Sequence, residues 1–379
     1  MNSAEVREFF PILKERTYLF SGGHSPASVP ALEAVQRLMG EWAGDTLDLY
    51  GRLHEEQDEV RRLFAGLIGA DMDEVAVLDS TGTGENLAVE MIPIPPRGNV
   101  VFDEWSYPSA VYPWMLPPRE HLEQRWVMSR GGVIELDDLE AAIDDDTVAV
   151  SISHVTQGEG FRQDLGAVSK LAHAHDAFLL VDAAQSAGAV RIDAHAQGID
   201  FLAVGACKWL LGAAGVAFFY AAKSHIQGMP PHAGAPSAAN KFISPSKGPF
   251  EPKPGAERFH LGIPNLLGIA ATRPGLAALA DISMERVESH VLELSGHCIA
   301  GLQNRGIDVL TPKNTSQRGG VVAAIVDDAP AVEQFMRERC IDVYGGHTYN
   351  RTLRIDPHVF NNDGDIDTFL AAIDEYVAR

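Results

Sequence analysis

Residues 177–186 read AFLLVDAAQS, and this stretch predicts how the central part of the chain folds. Its first five residues are apolar, which is typical of a short strand buried on both faces. Asp182 follows them directly, at the position where strands of an open α/β sheet meet their ligands. A carboxylate there is costly to bury without a partner, and a cationic heterocycle is a suitable one. Taken alone, Asp182 equally fits a helix cap.

Similar apolar, β-branched runs lie on both sides of this stretch and alternate with segments of helical period. This alternation predicts an α/β fold with a mainly parallel central sheet and crossover helices. We predict strands at residues 75–78, 99–102, 148–153, 178–181, 201–204 and 216–220. We predict helices at residues 53–68, 85–91, 136–143 and 165–175. Residues 19–255 are therefore expected to form one large domain.

The remaining sequence predicts a smaller α+β domain, built from residues 1–18 and 256–379. Its predicted helices lie at residues 266–280, 284–304 and 366–377, and its strands at 321–326 and 352–355. Between the two domains, residues 228–255 are rich in Pro, Gly, Ala and Ser and predict a long loop. Loops of that length are usually functional or mobile.

A second motif, STGTGEN, occupies residues 80–86, after one predicted strand and at the start of a helix. Backbone N–H groups, hydroxyls and the helix dipole converge at such a point and favour an anion. The motif lacks the lysine of a nucleotide P-loop and the spacing of a dinucleotide fingerprint. A phosphate site and a merely capped helix start remain equal alternatives.

The third motif, VGACKWLLG at residues 204–212, places Lys208 within an apolar run. Burial disfavours the ammonium form, so such a lysine tends toward a neutral amine suited to imine formation. Most lysines beside apolar residues instead extend their charged end to water.

The charge balance argues against nucleic acid and anionic membranes as partners of this chain. The chain has 379 residues, with 30 basic against 52 acidic side chains and a net charge of −22, which repels nucleic acid and anionic membranes. The sequence carries no secretory signal pattern and no membrane-length apolar run, so we expect a cytoplasmic protein. Three scattered cysteines, Cys207, Cys298 and Cys340, predict neither a disulfide framework nor a metal site.

In order and spacing, these segments resemble the class V aminotransferase family of fold-type I pyridoxal-phosphate enzymes. The resemblance covers nearly the whole chain, and is strongest to the branch of isopenicillin N epimerase-like proteins, kynureninases, cysteine desulfurases and C–S lyases. The matching segments are YLF from Tyr18, STGTGEN from Ser80, YPSAVYPW from Tyr107, SHVTQGEGFRQDL from Ser153, VDAAQSAGA from Val181, CKWLLG from Cys207 and RIDPHVFNNDGDID from Arg354.

The resemblance implies a cofactor and a set of residues that hold it. Lys208 would carry pyridoxal 5′-phosphate as a Schiff base and then move protons at the α-carbon of an amino acid. Asp182 would pair with the pyridine nitrogen, and Gln185 would reach the phenolic oxygen of the ring. Thr83 and Gly84 would hold the phosphate.

Five further residues are considered on the same resemblance. Tyr107 stands where kynureninase-like sequences place a ring-stacking aromatic, with an ordinary core aromatic as the alternative. Gln157 would bind the phenolic oxygen or the substrate, whereas His154 equally fits a structural histidine. Gly205 and Cys207 replace the serine and histidine that commonly help to hold phosphate, so the site would depend more on backbone donors.

For the substrate, the resemblance implies that Arg354 binds the α-carboxylate, a task suited to its planar fork. The alternative is a surface ion pair with Asp356. His24, in the glycine-rich turn SGGH, would line the substrate mouth, or is simply a turn histidine. The resemblance also implies a homodimer, in which a threonine hydroxyl of one subunit can reach the cofactor phosphate of the other. Ile263 replaces that threonine, so we expect weaker cofactor binding.

The type of reaction follows least directly from the sequence. Tyr349 stands where some desulfurases carry a persulfide-forming cysteine, and Cys340, upstream at the end of an amphipathic helix, is expected to be a small buried residue. We therefore favour a lyase that cleaves a β-substituted amino acid. An aminotransferase or epimerase, including decarboxylating or oxidative variants, is the alternative, and a non-catalytic cofactor-binding protein is a remote one.

Overall fold

The computed structural model describes residues 1–45, 49–239, 246, 248–346 and 351–379. The helices of this part, α1 to α11 in chain order, are Ser3–Arg7, Val29–Gly44, Leu49–Leu67, Thr81–Met91, Pro108–Met115, Leu136–Ala142, Leu165–Ala174, Leu266–Ile282, Met284–Gln303, Ala329–Arg337 and Asp363–Val377. The strands, β1 to β12, are Thr17–Tyr18, Val75–Leu78, Asn99–Asp103, Glu123–Val127, Thr147–Ser153, Phe178–Asp182, Phe201–Gly205, Ala217–Ala221, Val322–Ile325, Ile341–Asp342, Tyr344–Gly345 and Thr352–Ile355. Among these helices, none is both long and apolar enough to cross a membrane.

Within the described residues, seven strands form the central sheet, in the order β2-β8-β7-β6-β5-β3-β4. Its strands pair in parallel except at β8, which is antiparallel to both of its neighbours. The predicted α/β fold is confirmed, and all six strands predicted for this sheet are present. The additional strand is β4, which pairs with β3 at the edge of the sheet.

Both faces of the central sheet are covered. One buried cluster contains Val150, Leu179 and Trp209, and a second contains Leu180 and Phe219. Successive residues of a strand point to opposite faces, so burial on both sides requires the continuous apolar runs seen in the sequence. The polar residues that follow these runs are therefore brought to the carboxyl edge of the sheet.

The C-terminal part of the chain forms a small antiparallel sheet in the order β11-β12-β9, with its own buried cluster. The N-terminal residues contact both regions. Strand β1 pairs with β10, whereas Val6 and Phe10 of the N-terminal segment pack in the cluster that contains Leu179. The division into residues 19–255 and residues 1–18 with 256–379 stays a prediction.

The segment 228–262 contains two short 3-10 helices, Ala235–Ser237 and Ala256–Phe259, in the residues that the structure describes. Arg258 ties its ends together: the guanidinium donates to the carbonyl oxygens of Lys253 and Gly228, both at 2.8 Å. These two contacts link Gly228 to the region around Lys253 and Arg258. Residues 240–245 and 247 lie outside the described part.

Candidate active site

The Lys208 loop is held in place by side chains from both ends of the chain. This loop follows β7, and the backbone carbonyl oxygens of Cys207, Lys208 and Trp209 each accept a hydrogen bond. Ser25 donates its N–H to Cys207 at 2.7 Å and its hydroxyl to Lys208 at 2.5 Å. Nε2 of His358 donates to Trp209 at 2.8 Å. Because these contacts involve the backbone, they position Lys208 without engaging its amine. Neither Ser25 nor His358 was identified from the sequence, where no local pattern marks them.

The ring of His358 is neutral, with its one N–H on Nε2. Its Nδ1 accepts the N–H of Val359, which leaves the proton on Nε2 for Trp209. Burial lowers the pKa of His358 to about 4, whereas an unfolded histidine titrates near 6.5. The unfolded chain therefore binds more protons between these values.

We predict that the stability contributed by neutral His358 is present above about pH 6.5 and is lost as the pH falls toward 4, by about 3 kcal/mol in total. Denaturant unfolding of the wild type and of His358→Gln, compared at pH 7.5 and pH 5, measures this loss. The variant should lose less stability than the wild type on acidification, and the exposed control His24→Gln should behave as wild type. Equal losses in all three proteins would contradict this assignment.

One cavity of about 230 Å³ brings together most of the residues predicted for the cofactor. It is lined by Ser80, Thr81, Gly82, Tyr107, Ser109, Ser153, Val155, Gln157, Asp182, Ala184, Gln185 and Lys208. Nζ of Lys208 lies 6.0 Å from the centre of the Tyr107 ring. Tyr107 is 47% exposed, so the alternative of a core aromatic is wrong. We call this space the Lys208 cavity.

The electrostatics of the Lys208 cavity favour a reactive amine. Burial lowers the pKa of Lys208; Asp182 opposes this effect, and the positive charge of Arg354 reinforces it. Burial raises the pKa of Asp182, although the N–H of Ala184, which donates to its Oδ1 at 2.8 Å, and the charge of Lys208 favour the ionised form. A lysine with a lowered pKa has more of the neutral form that attacks carbonyl carbon.

Residues of the STGTGEN motif border two neighbouring cavities, and the assignment of the phosphate to Thr83 and Gly84 stays a prediction. Thr81 and Gly82 line the Lys208 cavity, whereas Thr83 lines an adjoining one. The backbone N–H of Thr83 donates to the hydroxyl oxygen of Ser80 at 3.1 Å, and this hydrogen bond caps α4. Gly84 faces the sheet, where an added Cβ would lie 3.0 Å from Cβ of Ala203. Gly84 therefore permits close packing of helix on sheet.

The adjoining cavity, of about 630 Å³, is larger and shares Ser80 and Gly82 with the Lys208 cavity. It contains neither Lys208 nor Asp182, so we place the chemistry in the smaller space. Ile263, which lines it, is 68% exposed.

Among the remaining cofactor candidates, Gln185 has defined hydrogen-bond partners. Gln185 donates its amide N–H to Gly22 O at 3.0 Å and accepts from the Trp209 indole at 2.9 Å, so its orientation is set by the protein. Gly205 lies beside the STGTGEN motif: a Cβ added to Gly205 would be 3.1 Å from Oγ1 of Thr81. Gln157 lines the cavity.

His154, the structural alternative in the sequence analysis, is buried next to the site. Its Nε2 contacts Nε of Arg162 at 3.4 Å, and its backbone N–H donates to Asp182 O at 2.9 Å. Burial holds the pKa of His154 well below its usual value. A neutral, packed ring supports the structural interpretation.

Arg354 forms a buried ion pair, not the surface pair considered as its alternative. Its Nη2 lies 2.7 Å from Oδ2 of Asp356, and the two side chains are 7% and 0% exposed. A Cβ at Gly22 would collide with both of them. The SGGH turn must therefore be free of a side chain at Gly22. Burial raises the pKa of Asp356, and Arg354 opposes that effect.

Two other candidates lie outside the Lys208 cavity. His24 is exposed, and its Nδ1 lies 2.6 Å from Ser25 O. Cys340 was expected to be buried, but this is wrong: the residue is exposed and has a φ of 59°, in a turn before β10. A left-handed residue shortly after a helix is a common way for the chain to leave it, here after α10. Tyr349 lies outside the described residues.

Comparison with known proteins gives a family for this arrangement. Residues 17–369 match the family described as Aminotransferase class-V. The chain belongs to the aminotransferase class V family. The predicted resemblance is thereby confirmed, and members of the class V family depend on pyridoxal phosphate.

Individual members of the class V family are similar to this chain at low identity. An uncharacterized aminotransferase, YcbU, from Bacillus subtilis is 27% identical over 379 residues, covering 99% of this chain and 97% of that protein. A kynureninase from Pseudomonas fluorescens is 27% identical, covering 93% and 86%. The apo structure of a cysteine desulfurase from Thermococcus onnurineus superimposes with a TM-score of 0.88 at 24% identity, over 99% and 98% of the two chains. That likeness concerns the fold.

Proposed function

We propose that this chain is a pyridoxal-phosphate enzyme acting at the α-carbon of an amino acid, and a lyase that cleaves the C–S or C–C bond of a β-substituted substrate. The observation that carries the proposal is the Lys208 cavity, where a lysine of lowered pKa, a buried carboxylate and an aromatic ring border one space. Strongly shifted ionisable groups that share a cleft are characteristic of catalytic sites.

The residues of the cavity fit this coenzyme. Lys208 would hold it covalently through its amine, and Tyr107 would stack on its ring. The buried Asp182, whose Oδ1 accepts only a backbone N–H among the described residues, is suited to a protonated ring nitrogen. Thr81 and Gly82, at the N-terminus of α4, are suited to the phosphate.

When bound, pyridoxal phosphate supplies an electron sink for negative charge that develops at the α-carbon of the substrate. The protein supplies the rest. Lys208, with a lowered pKa, takes a proton from the α-carbon and then gives it to the departing group or back to the substrate. Arg354 binds the α-carboxylate through donors that Asp356 leaves available, since the structure gives Asp356 a contact with Nη2 alone.

The positions of the cysteines support a lyase over a desulfurase with a persulfide relay. All three cysteines belong to the described residues, and none lines the Lys208 cavity. Cys298 is buried in the cluster that packs against the C-terminal sheet, where burial raises its pKa. Cys340 lies in a turn, where its backbone carbonyl oxygen accepts the N–H of Thr17.

A second candidate is an aminotransferase, supported by the full-length similarity to YcbU, which is named as one. Epimerisation uses the same core residues and differs in how the proton is returned. The intact Lys208 argues against a non-catalytic cofactor-binding protein.

A panel of amino acids incubated with coenzyme-loaded protein tests these alternatives. For cystine and S-substituted cysteines we expect a 2-oxo acid, ammonia and the released thiol or persulfide, without an added amino acceptor. For kynurenine-type substrates we expect alanine and a carboxylic acid. Product formation that requires a 2-oxo acid acceptor would instead favour the aminotransferase, and α-hydrogen exchange without a 2-oxo acid the epimerase. Absence of any new visible absorption band on adding pyridoxal phosphate would refute the whole proposal.

We further propose that the enzyme works as a homodimer with its active sites near the interface. Exposed apolar side chains near the STGTGEN motif support this arrangement: Leu261 and Ile263 both line the adjoining cavity and are 52% and 68% exposed. Apolar side chains grouped at a cavity mouth are typical of a surface that another chain covers.

A further inference from the structure

Glu85 is a buried carboxyl group that the proposed function does not yet use. It lies in the second turn of α4, five residues after Ser80, and is 5% exposed. Together with Asp182 it lines a narrow internal gap between α4, α5 and the central sheet. The other walls of this gap are mainly apolar, from residues such as Ala88, Ala203 and Phe219. Asp182 borders both this gap and the Lys208 cavity, whereas Glu85 borders only the gap, and in this sense Glu85 lies behind Asp182.

Glu85 has few groups that could stabilise a negative charge. Neither of its carboxyl oxygens makes a well-aligned hydrogen bond in the described part of the protein. Only the side chain of Ser109, from α5, and the more distant charge of Lys208 favour its ionised form. The gap offers no cation of its own. A carboxylate without partners in such surroundings is strongly disfavoured relative to the neutral acid.

The two carboxyl groups are not equivalent. Burial and the negative charge of Asp182 raise the pKa of Glu85 to about 8. Asp182 has a backbone hydrogen bond from Ala184 and the nearer attraction of Lys208. Asp103, at the end of β3, also responds to the Asp182 charge, and burial raises its pKa to about 6. When one proton is shared near neutral pH, it therefore resides on Glu85.

We propose that Glu85 is a positioning residue that holds a proton behind Asp182 and so keeps the negative charge of the pair on Asp182, facing the ring nitrogen of the coenzyme. If Asp182 took that proton, the charge would lie in the helix–sheet interface and no anion would border the cavity. The inference rests on the proposed function for the identity of the cation, but the location of the proton is independent of it.

The first test uses coenzyme-free protein and infrared spectroscopy of the carboxyl groups. We expect a protonated-carboxyl band at pH 7 that disappears as the pH is raised through about 8 and that is missing in Glu85→Gln. In Asp182→Asn, the titration of this band should shift to lower pH by about one unit, because the neighbouring charge is gone. The matched control is Glu159→Gln, which removes a buried glutamate that accepts from Ser129 at 2.8 Å. The control should leave the Asp182-dependent band in place.

The second test connects the proton to coenzyme binding. A cation held by Asp182 favours ionised Glu85, and by reciprocity ionised Glu85 must strengthen binding of that cation. Dissociation constants for pyridoxal phosphate are measured in a Lys208→Ala background, which removes the covalent contribution. The dissociation constants of Lys208→Ala and of Lys208→Ala/Glu85→Gln should agree at pH 7. At pH 9, the double variant should bind pyridoxal phosphate several-fold more weakly than Lys208→Ala.

Either result can overturn the inference. A band that persists in Glu85→Gln, or a titration that Asp182→Asn does not move, would place the proton elsewhere. A ratio of dissociation constants that stays the same from pH 7 to pH 9 would disconnect Glu85 from the coenzyme. If neither protein bound pyridoxal phosphate at all, the proposed function would fail, and the infrared test would still decide where the proton lies.

Discussion

Replacing Lys208 by alanine is expected to lower the turnover of the coenzyme-loaded protein by about 10²–10⁴-fold or more, the range for loss of a general acid–base. The neutral amine is available because burial and Arg354 lower the pKa of Lys208. The fold should be retained, since Ser25 and His358 bind the backbone around residue 208 and not the amine. Loss of chemistry is therefore separable from loss of structure.

Three measurements check this prediction. Steady-state turnover gives the loss, the visible spectrum reports the covalent link to the coenzyme, and circular dichroism reports the fold. The control is Lys170→Ala, an exposed lysine on α7, which should leave turnover unchanged. A small primary amine in the buffer should restore part of the activity of the Lys208 variant. Turnover at the wild-type level without added amine would contradict the assigned role.

The second large effect concerns stability as well as substrate binding. Arg354→Ala is expected to destabilise the protein by about 3–5 kcal/mol, because it leaves the fully buried Asp356 without its counter-ion. Removing both partners, in Arg354→Ala/Asp356→Ala, should restore much of that loss, since no unpaired charge remains. Arg351→Ala is the matched control: its ion pair with Asp327 is exposed, so we expect a change below about 1 kcal/mol.

Denaturant unfolding gives the three stabilities, and the double variant then permits a clean test of substrate binding. In that variant, the KM for an amino acid should rise because the guanidinium that binds the α-carboxylate is missing. Equal destabilisation of the single and double Arg354 variants would show that the ion pair is not what stabilises this region. An unchanged KM would remove Arg354 from the substrate site.

The strands of the central sheet were predictable because both of their faces are buried. Burial on both faces selects uninterrupted apolar runs, such as residues 178–181, which become part of β6. Strand β4 was missed for the converse reason. Its sequence, EQRWV, is mostly polar, and it lies at the edge of the sheet, with Glu123 and Trp126 exposed. At an edge, pairing with β3 decides the structure, and no apolar pattern is required.

Part of the candidate site was predictable for a related reason. Asp182, Lys208 and the STGTGEN motif each follow a strand of one parallel sheet, so their positions along the chain imply that they meet at one edge. Within the motif, the assignment of the phosphate to Thr83 and Gly84 stays a prediction. A string of hydroxyls and glycines does not reveal which of its residues turn toward the cavity, as Thr81 and Gly82 do, and which, like Gly84, turn toward the sheet.

The sequence by itself determined the fold class, the family, and which acidic and basic groups stand at the strand ends, since these depend on local pattern and on spacing. Only the tertiary structure decided the protonation and the charge partners of those groups. Ser25 and His358 hold the lysine loop, Asp356 pairs with Arg354, and Glu85 lies behind Asp182. Each pairing joins different elements of the fold or depends on burial. Protonation and charge pairing follow from burial and from neighbouring charges, which exist only once the chain has folded.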